Sequence, residues 1–445
     1  MYKNGFFMRK IIFFIAFLLP FSASAKLLNL DYFELDNGLQ VAVVENHKAP
    51  VALQMLYYKT GSINDPKGKG GIAHLLEHLM FRGTKKIPDQ MFNRLTDEYG
   101  ARNNAYTIFD VTAYYEFSDI SKLELMMALE ADRMQNLNIS DEVFAKEREV
   151  VLEERRQRFE TKPAPLFYET LYKLLWQDAP MANPVSGNVV DIKALTKADA
   201  ELFYKQWYRP DNALLVLAGD ITLKEAKTLV QKYYGTIKNQ GSMPQMQKYE
   251  MPKAADMLFN MKLAAVEQPR FAQYIRIEPE SLTVTDSLAL ELLAQYLAGD
   301  DTAYLYDQLV YKDKKFLAID VGSSYNKNYG GVFAFYVSPP DDTLKIEQIA
   351  ELIDINIKEG LKALTEEKLL KIKNQMLSDT VYLQENPQTA AKFVGEMLLA
   401  EYTPEEIIHF DEAIKSITVE DVLRAWEKVQ ASVVRLNGYL SGETK

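Results

Sequence analysis

The 445-residue sequence contains no cysteine. That excludes disulfides, thiolate metal sites, iron–sulfur clusters and a cysteine nucleophile. Histidine is scarce as well: His47, His74, His78 and His409 are the whole supply, so a metal site here has to lean on carboxylates beside very few imidazoles. Positive charge is in deficit, with 51 Lys and Arg against 62 Asp and Glu and a net charge of −11, which argues against a general nucleic-acid binder. After residue 25 no stretch offers 18 uninterrupted apolar residues, so no later segment has the length of a membrane span. What remains is ordinary: 25% charged and 48% hydrophobic residues, a globular composition with room for two to four domains.

The first residues read as an address. Lys3, Arg9 and Lys10 precede an apolar run over 11–21 broken only by Pro20, and Ala23-Ser24-Ala25 follows. Basic start, short apolar core and small-x-small site make a secretory signal peptide, 1–25, cleaved after about Ala25. Its removal takes three basic and no acidic groups, so −11 becomes −14. In a bacterium the mature chain is then expected in the periplasm, soluble, with its stability coming from its core alone.

The remainder reads as two related halves. Residues 32–44 form a hairpin about Asn37-Gly38, 51–58 and 105–117 read as strands, 70–81 as a helix ended by Gly83, and 121–135 and 140–160 as helices opened by Ser121 and Ser140. A helix over 196–208 leads into a buried strand at 213–218. The octet beginning at Ile192 is echoed by the octet beginning at Ile414, an offset of 222, and each copy leads to a tryptophan-bearing helix (Trp207, Trp426) and an apolar run, 213–218 and 431–436. Such spacing points to an internal duplication. The polar, Pro- and Gly-containing residues 238–253 read as a connector, leaving domains at 26–237 and 254–445. The expected fold class is α+β: two homologous domains, each a mostly antiparallel sheet packed against helices, paired as a half-clamshell.

Chemistry concentrates in His74-Leu75-Leu76-Glu77-His78. Positions i, i+3 and i+4 share a helical face, so both imidazoles and the carboxylate project together, and two histidines one turn apart fill two corners of a zinc tetrahedron. On the 140–160 helix, Phe144, Glu147, Val151 and Glu154 form one stripe. Burying carboxylates there demands a cation opposite, so either Glu147 or Glu154 can complete the site. Glu153, Arg155 and Arg156 read as a solvated charge run, His47 as loop surface and His409 as structural.

The segment from Gly70 to Thr84 carries H-x-x-E-H and resembles the inverted zinc peptidases of the pitrilysin, insulin-degrading enzyme and mitochondrial processing peptidase family, in its short two-domain bacterial type. The likeness extends to Asn103-Asn104-Ala105-Tyr106-Thr107, the Glu147 and Glu154 pair, Tyr208 to Ala213, and Leu217-Ala218-Gly219-Asp220. It implies a zinc-dependent metalloendopeptidase acting on extended or unfolded peptides, with one Zn2+ held by His74, His78 and Glu154. Glu77 is then the general base, Glu147 an orienting carboxylate, and Asn103, Asn104, Ala105 and Thr107 a substrate-pairing edge strand. The competing expectation is a non-catalytic structural, assembly or chaperone-like subunit of the same family. The second-half counterpart of the pentad, Leu290 to Gln295, has no histidine, and no arginine occurs between Arg276 and Arg424. The family's substrate-holding Arg–Tyr pair is therefore not recognisable, and a related partner subunit supplying it in a heterodimer is expected, with a homodimer as the alternative.

Overall fold

The Asn37-Gly38 turn, with Gly38 in the left-handed region (φ 87°), joins β1 (Leu30–Glu34) to β2 (Gln40–Glu45) in antiparallel register from Leu30 opposite Val44 to Glu34 opposite Gln40. This computed structural model describes residues 27–244, 255–432 and 434–443. The signal-peptide reading of 1–25 lies outside the described residues, as does 245–253 of the connector.

The first half continues with strands β3 (Val51–Tyr58), β4 (Arg102–Thr107), β5 (Thr112–Asp119) and β6 (Ala213–Gly219). Its helices are α1 (Ile72–Leu79), α2 (Met91–Glu98), α3 (Ile120–Asn136), α4 (Asp141–Arg155), α5 (Pro163–Trp176), α6 (Val189–Ala194), α7 (Lys197–Trp207) and α8 (Leu223–Tyr233). The second half has strands β7 (Met257–Lys262), β8 (Arg270–Ile277), β9 (Ala318–Asn326), β10 (Gly330–Ser338) and β11 (Arg435–Ser441). Its helices are α9 (Val284–Ala298), α10 (Ile346–Ala363), α11 (Glu366–Val381), α12 (Pro387–Leu399), α13 (Pro404–Ile408), α14 (Phe410–Ser416) and α15 (Val419–Gln430).

The sheets run β1-β2-β6-β3-β5-β4 and β7-β11-β8-β10-β9. In each, one parallel pair, β2 with β6 and β7 with β11, adjoins antiparallel neighbours. Setting β7 against β2, β11 against β6, β8 against β3, β10 against β5 and β9 against β4 superposes the two orders. Both β6 and β11, and both α7 and α15, start 222 residues apart, the offset of the repeated octet. Among the described residues β1 and α8 have no counterpart in the second half.

Four local readings are corrected. Residues 105–117 are not one strand but two, because the Ile108 N–H closes a turn on the Val111 carbonyl at 2.8 Å. The cap of α3 is Asp119, whose side chain accepts from the Ser121 N–H at 2.9 Å; Ser121 is its client rather than the cap. The regular helix opened by Ser140 stops at Arg155, and a wider, π-type turn follows over Arg156–Glu160. The second strand begins at Arg435, four residues after Ala431, because α15 runs on to Gln430 and uses up that segment.

Both faces of each sheet are covered: successive side chains point to opposite faces, and the central strands β3, β6 and β8 are buried along almost their whole length. On β3, Ala52, Leu56 and Tyr58 enter the core shared with the first half's own helices. Leu53, Met55 and Tyr57 face the other way, onto Ala390, Ala391 and Val394 of α12 from the second half. The exchange is reciprocal: Phe167, Leu171 and Leu175 of α5 cover Ala272, Tyr274, Leu436 and Leu440 of the second sheet. Close approach is built in by glycine. A Cβ at Gly438 would lie 2.5 Å from Leu171 Cδ1, and one at Gly395 would overlap the Tyr57 ring.

Behind the first sheet, Arg133 of α3 is fully buried between two buried carboxylates, Glu116 of β5 at 2.8 Å and Glu130 one turn away. Phe81, Phe92 and Tyr114 surround its guanidinium at 4.9, 4.2 and 4.7 Å. This charge knot fixes α3 and β5 to the segment that leaves α1. In urea unfolding, Arg133→Met is expected to cost about 3–5 kcal/mol, because it strands two buried carboxylates; a loss under about 1 kcal/mol would show that the knot is not structural. Leu171→Ala is expected to cost about 2–5 kcal/mol by the cavity it leaves between the halves, read the same way.

Candidate metal centre

Helix α1 begins at Gly71, held at φ 88°. A side chain there would meet the Ser186 carbonyl at 2.8 Å, so glycine answers both the backbone and the space. The Asp65 carboxylate accepts from the Gly71 N–H at 2.6 Å and the Ala73 N–H at 3.1 Å, supplying partners for donors that a helix start leaves unpaired. Ile72, Leu75, Leu76 and Leu79 enter the core, which turns His74, Glu77 and His78 toward α4. There the Ser140 hydroxyl accepts from the Val143 N–H at 3.1 Å. Phe144, Glu147 and Val151 are buried, and Glu154 is partly so.

The stripe and the pentad meet. Glu154 Oε2 lies 3.3 Å from His78 Nε2 and 3.8 Å from His74 Nε2. Donor atoms from His74, His78 and Glu154 all fall within 4.8 Å of one another, forming the one such metal-holding group among the described residues. Glu147 approaches from the other side: its Oε2 is 3.6 Å from His78 Nδ1, and its Oε1 is 2.9 Å from Arg82 Nε. Arg158, on the π-type turn, pairs with Glu154 Oε1 at 2.9 Å. Glu77 Oε2 accepts from the Thr107 hydroxyl at 2.5 Å.

The electrostatics separate the two imidazoles. Burial, reinforced by the neighbouring His78 charge, pushes His74 down to about 4, which keeps it a neutral donor. Burial also lowers His78, but the facing carboxylates of Glu147 and Glu154 outweigh it and carry the ring up to about 9. Hydrogen bonding to His78 holds the Glu154 carboxyl low; at Glu147 burial acts upward but is overcome by His78 and Arg82. Burial raises Glu77, opposed by the Thr107 hydrogen bond.

The residues suit a divalent cation. Two imidazole nitrogens and one carboxylate oxygen are a donor set used by catalytic zinc sites. Glu147 Oε2 is buried with nothing closer than His78 Nδ1 at 3.6 Å, an acidic surplus that a bound cation's charge would offset.

The remaining candidates lie along the rim. Strand β4 is the edge of its sheet. There Asn104 and Ala105 pair with Tyr115 and Tyr114 of β5. Asn103 donates to the Thr96 hydroxyl of α2 at 2.6 Å. Asn103 and Asn104 line an open pocket with Glu77, His78 and Arg82. Three participants escape a reading by motif: Arg82, Arg158 and the Thr107 hydroxyl. Two had a signal in spacing alone, since Arg82 and Arg158 stand four residues after His78 and Glu154.

The solvated reading of Arg155 is corrected. It is buried and pairs with Glu169 at 2.6 and 3.0 Å and with Ser186 at 3.1 Å, because α5 folds back over it. Glu153 and Arg156 do pair on the surface. His47 is half exposed beside Asp220 at 2.7 Å. His409 sits between α13 and α14, 3.1 Å from Glu405.

Comparison with known proteins agrees with this architecture. Residues 40–189 match the family model described as insulinase (peptidase family M16), and residues 194–376 match the one described as the peptidase M16 inactive domain. Zinc protease PqqE of Helicobacter pylori is 28% identical over 373 residues, 82% of each chain. The crystal structure of a protease from Helicobacter pylori superposes with a TM-score of 0.84 at 26% identity, covering 93% of this chain and 99% of that one. The periplasmic protease PqqL from Escherichia coli shares the fold, with a TM-score of 0.77 at 19% identity over 92% of this chain and 47% of its own. With consecutive models of one family matched along most of its length, the chain belongs to the M16 peptidases, the family of insulin-degrading enzyme and the mitochondrial processing peptidase.

Proposed function

We propose that this chain is an exported zinc-dependent endopeptidase that cleaves extended or unfolded peptides. The observation that carries the reading is the convergence of His74, His78 and Glu154 within 4.8 Å, with Glu77 on the same face of α1. His74, His78 and Glu154 would hold the zinc, which supplies a Lewis acid that polarises the scissile carbonyl and acidifies water. The protein does the rest. Glu77, one residue before a ligand and raised in proton affinity by burial, takes the proton of the attacking water and hands it to the leaving amine. Glu147 orients His78 through Nδ1, as outer carboxylates orient liganding imidazoles. The free side of β4 offers main-chain donors and acceptors to an extended peptide, so that affinity depends weakly on side chains.

A related subunit completes the site in this reading. Residues 277–423 contain no arginine, so the stretch of the second half in which the family's Arg–Tyr pair would fall has no guanidinium to grip substrate, and a heterodimer is favoured over a homodimer. Export to the periplasm is supported by the basic and apolar pattern of residues 1–25. Assay of the purified chain with and without a related partner lacking the pentad tests the subunit; full activity alone rejects it.

Two outcomes test the chemistry. Glu77→Gln is expected to keep its zinc while peptide cleavage falls by roughly 10²–10⁴; a wild-type rate would overturn the assignment. Glu154→Gln and His78→Ala are expected to lose zinc on dialysis, and Glu147→Gln to bind it about 10–100-fold more weakly, as read by metal analysis. Undiminished zinc in Glu154→Gln would remove that residue from the ligand set.

A further inference from the structure

We infer that Thr107 is a positioning residue for Glu77, its hydroxyl fixing which carboxylate oxygen accepts the proton. The inference rests on Glu77 being the base. A glutamate reaches its site through three rotatable bonds, and holding it still costs side-chain entropy. Thr107 Oγ1 donates to Glu77 Oε2 at 2.5 Å, in the short range of hydroxyl-to-carboxylate bonds. With Oε2 engaged, Oε1 is the oxygen left to take the proton from water. The donor suits the task, since a β-branched side chain is stiff at its first torsion.

The backbone that carries Thr107 is tied down on several sides. Thr107 pairs with Thr112, whose hydroxyl donates to the Thr60 carbonyl at 3.0 Å. The next two carbonyls, of Ile108 and Phe109, accept from the Ser62 and Ile63 N–H groups at 3.2 and 2.8 Å. The Phe109 ring stacks on Tyr172 of α5 at 5.4 Å. Asp110 accepts from Asn326, in the second half, at 3.3 Å. A hydroxyl meant only to meet a peptide would face outward from the edge strand; this one is turned inward, onto the neighbouring helix.

Thr107→Val removes the hydroxyl and keeps the shape; Thr107→Ser keeps the hydroxyl. On an unstructured peptide, Thr107→Val is expected to lower kcat about 10–100-fold with KM and zinc content unchanged, and Thr107→Ser to recover most of the loss. In the Glu77→Gln background, where no turnover interferes, adding Thr107→Val is expected to leave the Kd of a fluorescent peptide unchanged. A wild-type kcat in Thr107→Val, a raised KM with kcat intact, loss of zinc, or a weaker Kd in the Glu77→Gln background would each overturn the inference. Normal cleavage by Glu77→Gln alone would instead remove the base reading on which it rests.

Discussion

Two carboxylates on one inward stripe of α4 set a demand that the surrounding structure is arranged to meet. A buried carboxylate with no positive partner costs several kcal/mol. Glu147 and Glu154 stand seven residues apart, two turns of one helix, so both press on the same neighbour. That neighbour, α1, answers with His74 and His78 a turn apart, and guanidinium groups reach in at either end, Arg82 onto Glu147 and Arg158 onto Glu154. The core residues of α1 and the Gly71 start serve this alignment. Rotating α1 by one residue would put leucines against the carboxylates.

The site is held by a body in which neither half covers itself. Helix α5 leaves the first half to lie on the second sheet, and α12 returns the same service. Arg155 and Glu169 lock the start of this exchange directly below the π-type turn that carries Arg158. The second half therefore reaches the site mechanically, through α5 and through Asn326 of β9, which donates to Asp110 on the β4–β5 turn.

Much of this was legible from residue spacing. The face shared by His74, Glu77 and His78, the stripe from Phe144 to Glu154, and the 222-residue offset are all periodic signals, and helices and strands turn periodicity directly into position. The failures have a common physical origin. Residues 105–117 alternate like one strand, but the turn within them is dictated by backbone donors from Ser62 and Ile63, far away in the sequence. Arg155 sits in a run of charges, and only the return of α5 buries it. Ser121 resembled a cap because serine often is one; Asp119, two residues earlier, takes that place by accepting from the N–H of Ser121 itself. Thr107 was legible only as part of the edge strand; its bond to Glu77 carried no signal, because that partner is 30 residues away on another element.

The exchange of α5 and α12 also changes what the connection between the halves has to do. Each half keeps one of its helices clamped on the other's sheet by an apolar interface. Cohesion is therefore a property of packed surface, and the peptide bonds across 245–254 are not needed to supply it. A nick there would leave both clamped helices where they are, so the two pieces would still travel as one particle. The same arrangement forbids the reverse experiment: expressed alone, either half would expose one bare sheet face, an adhesive surface seeking another chain.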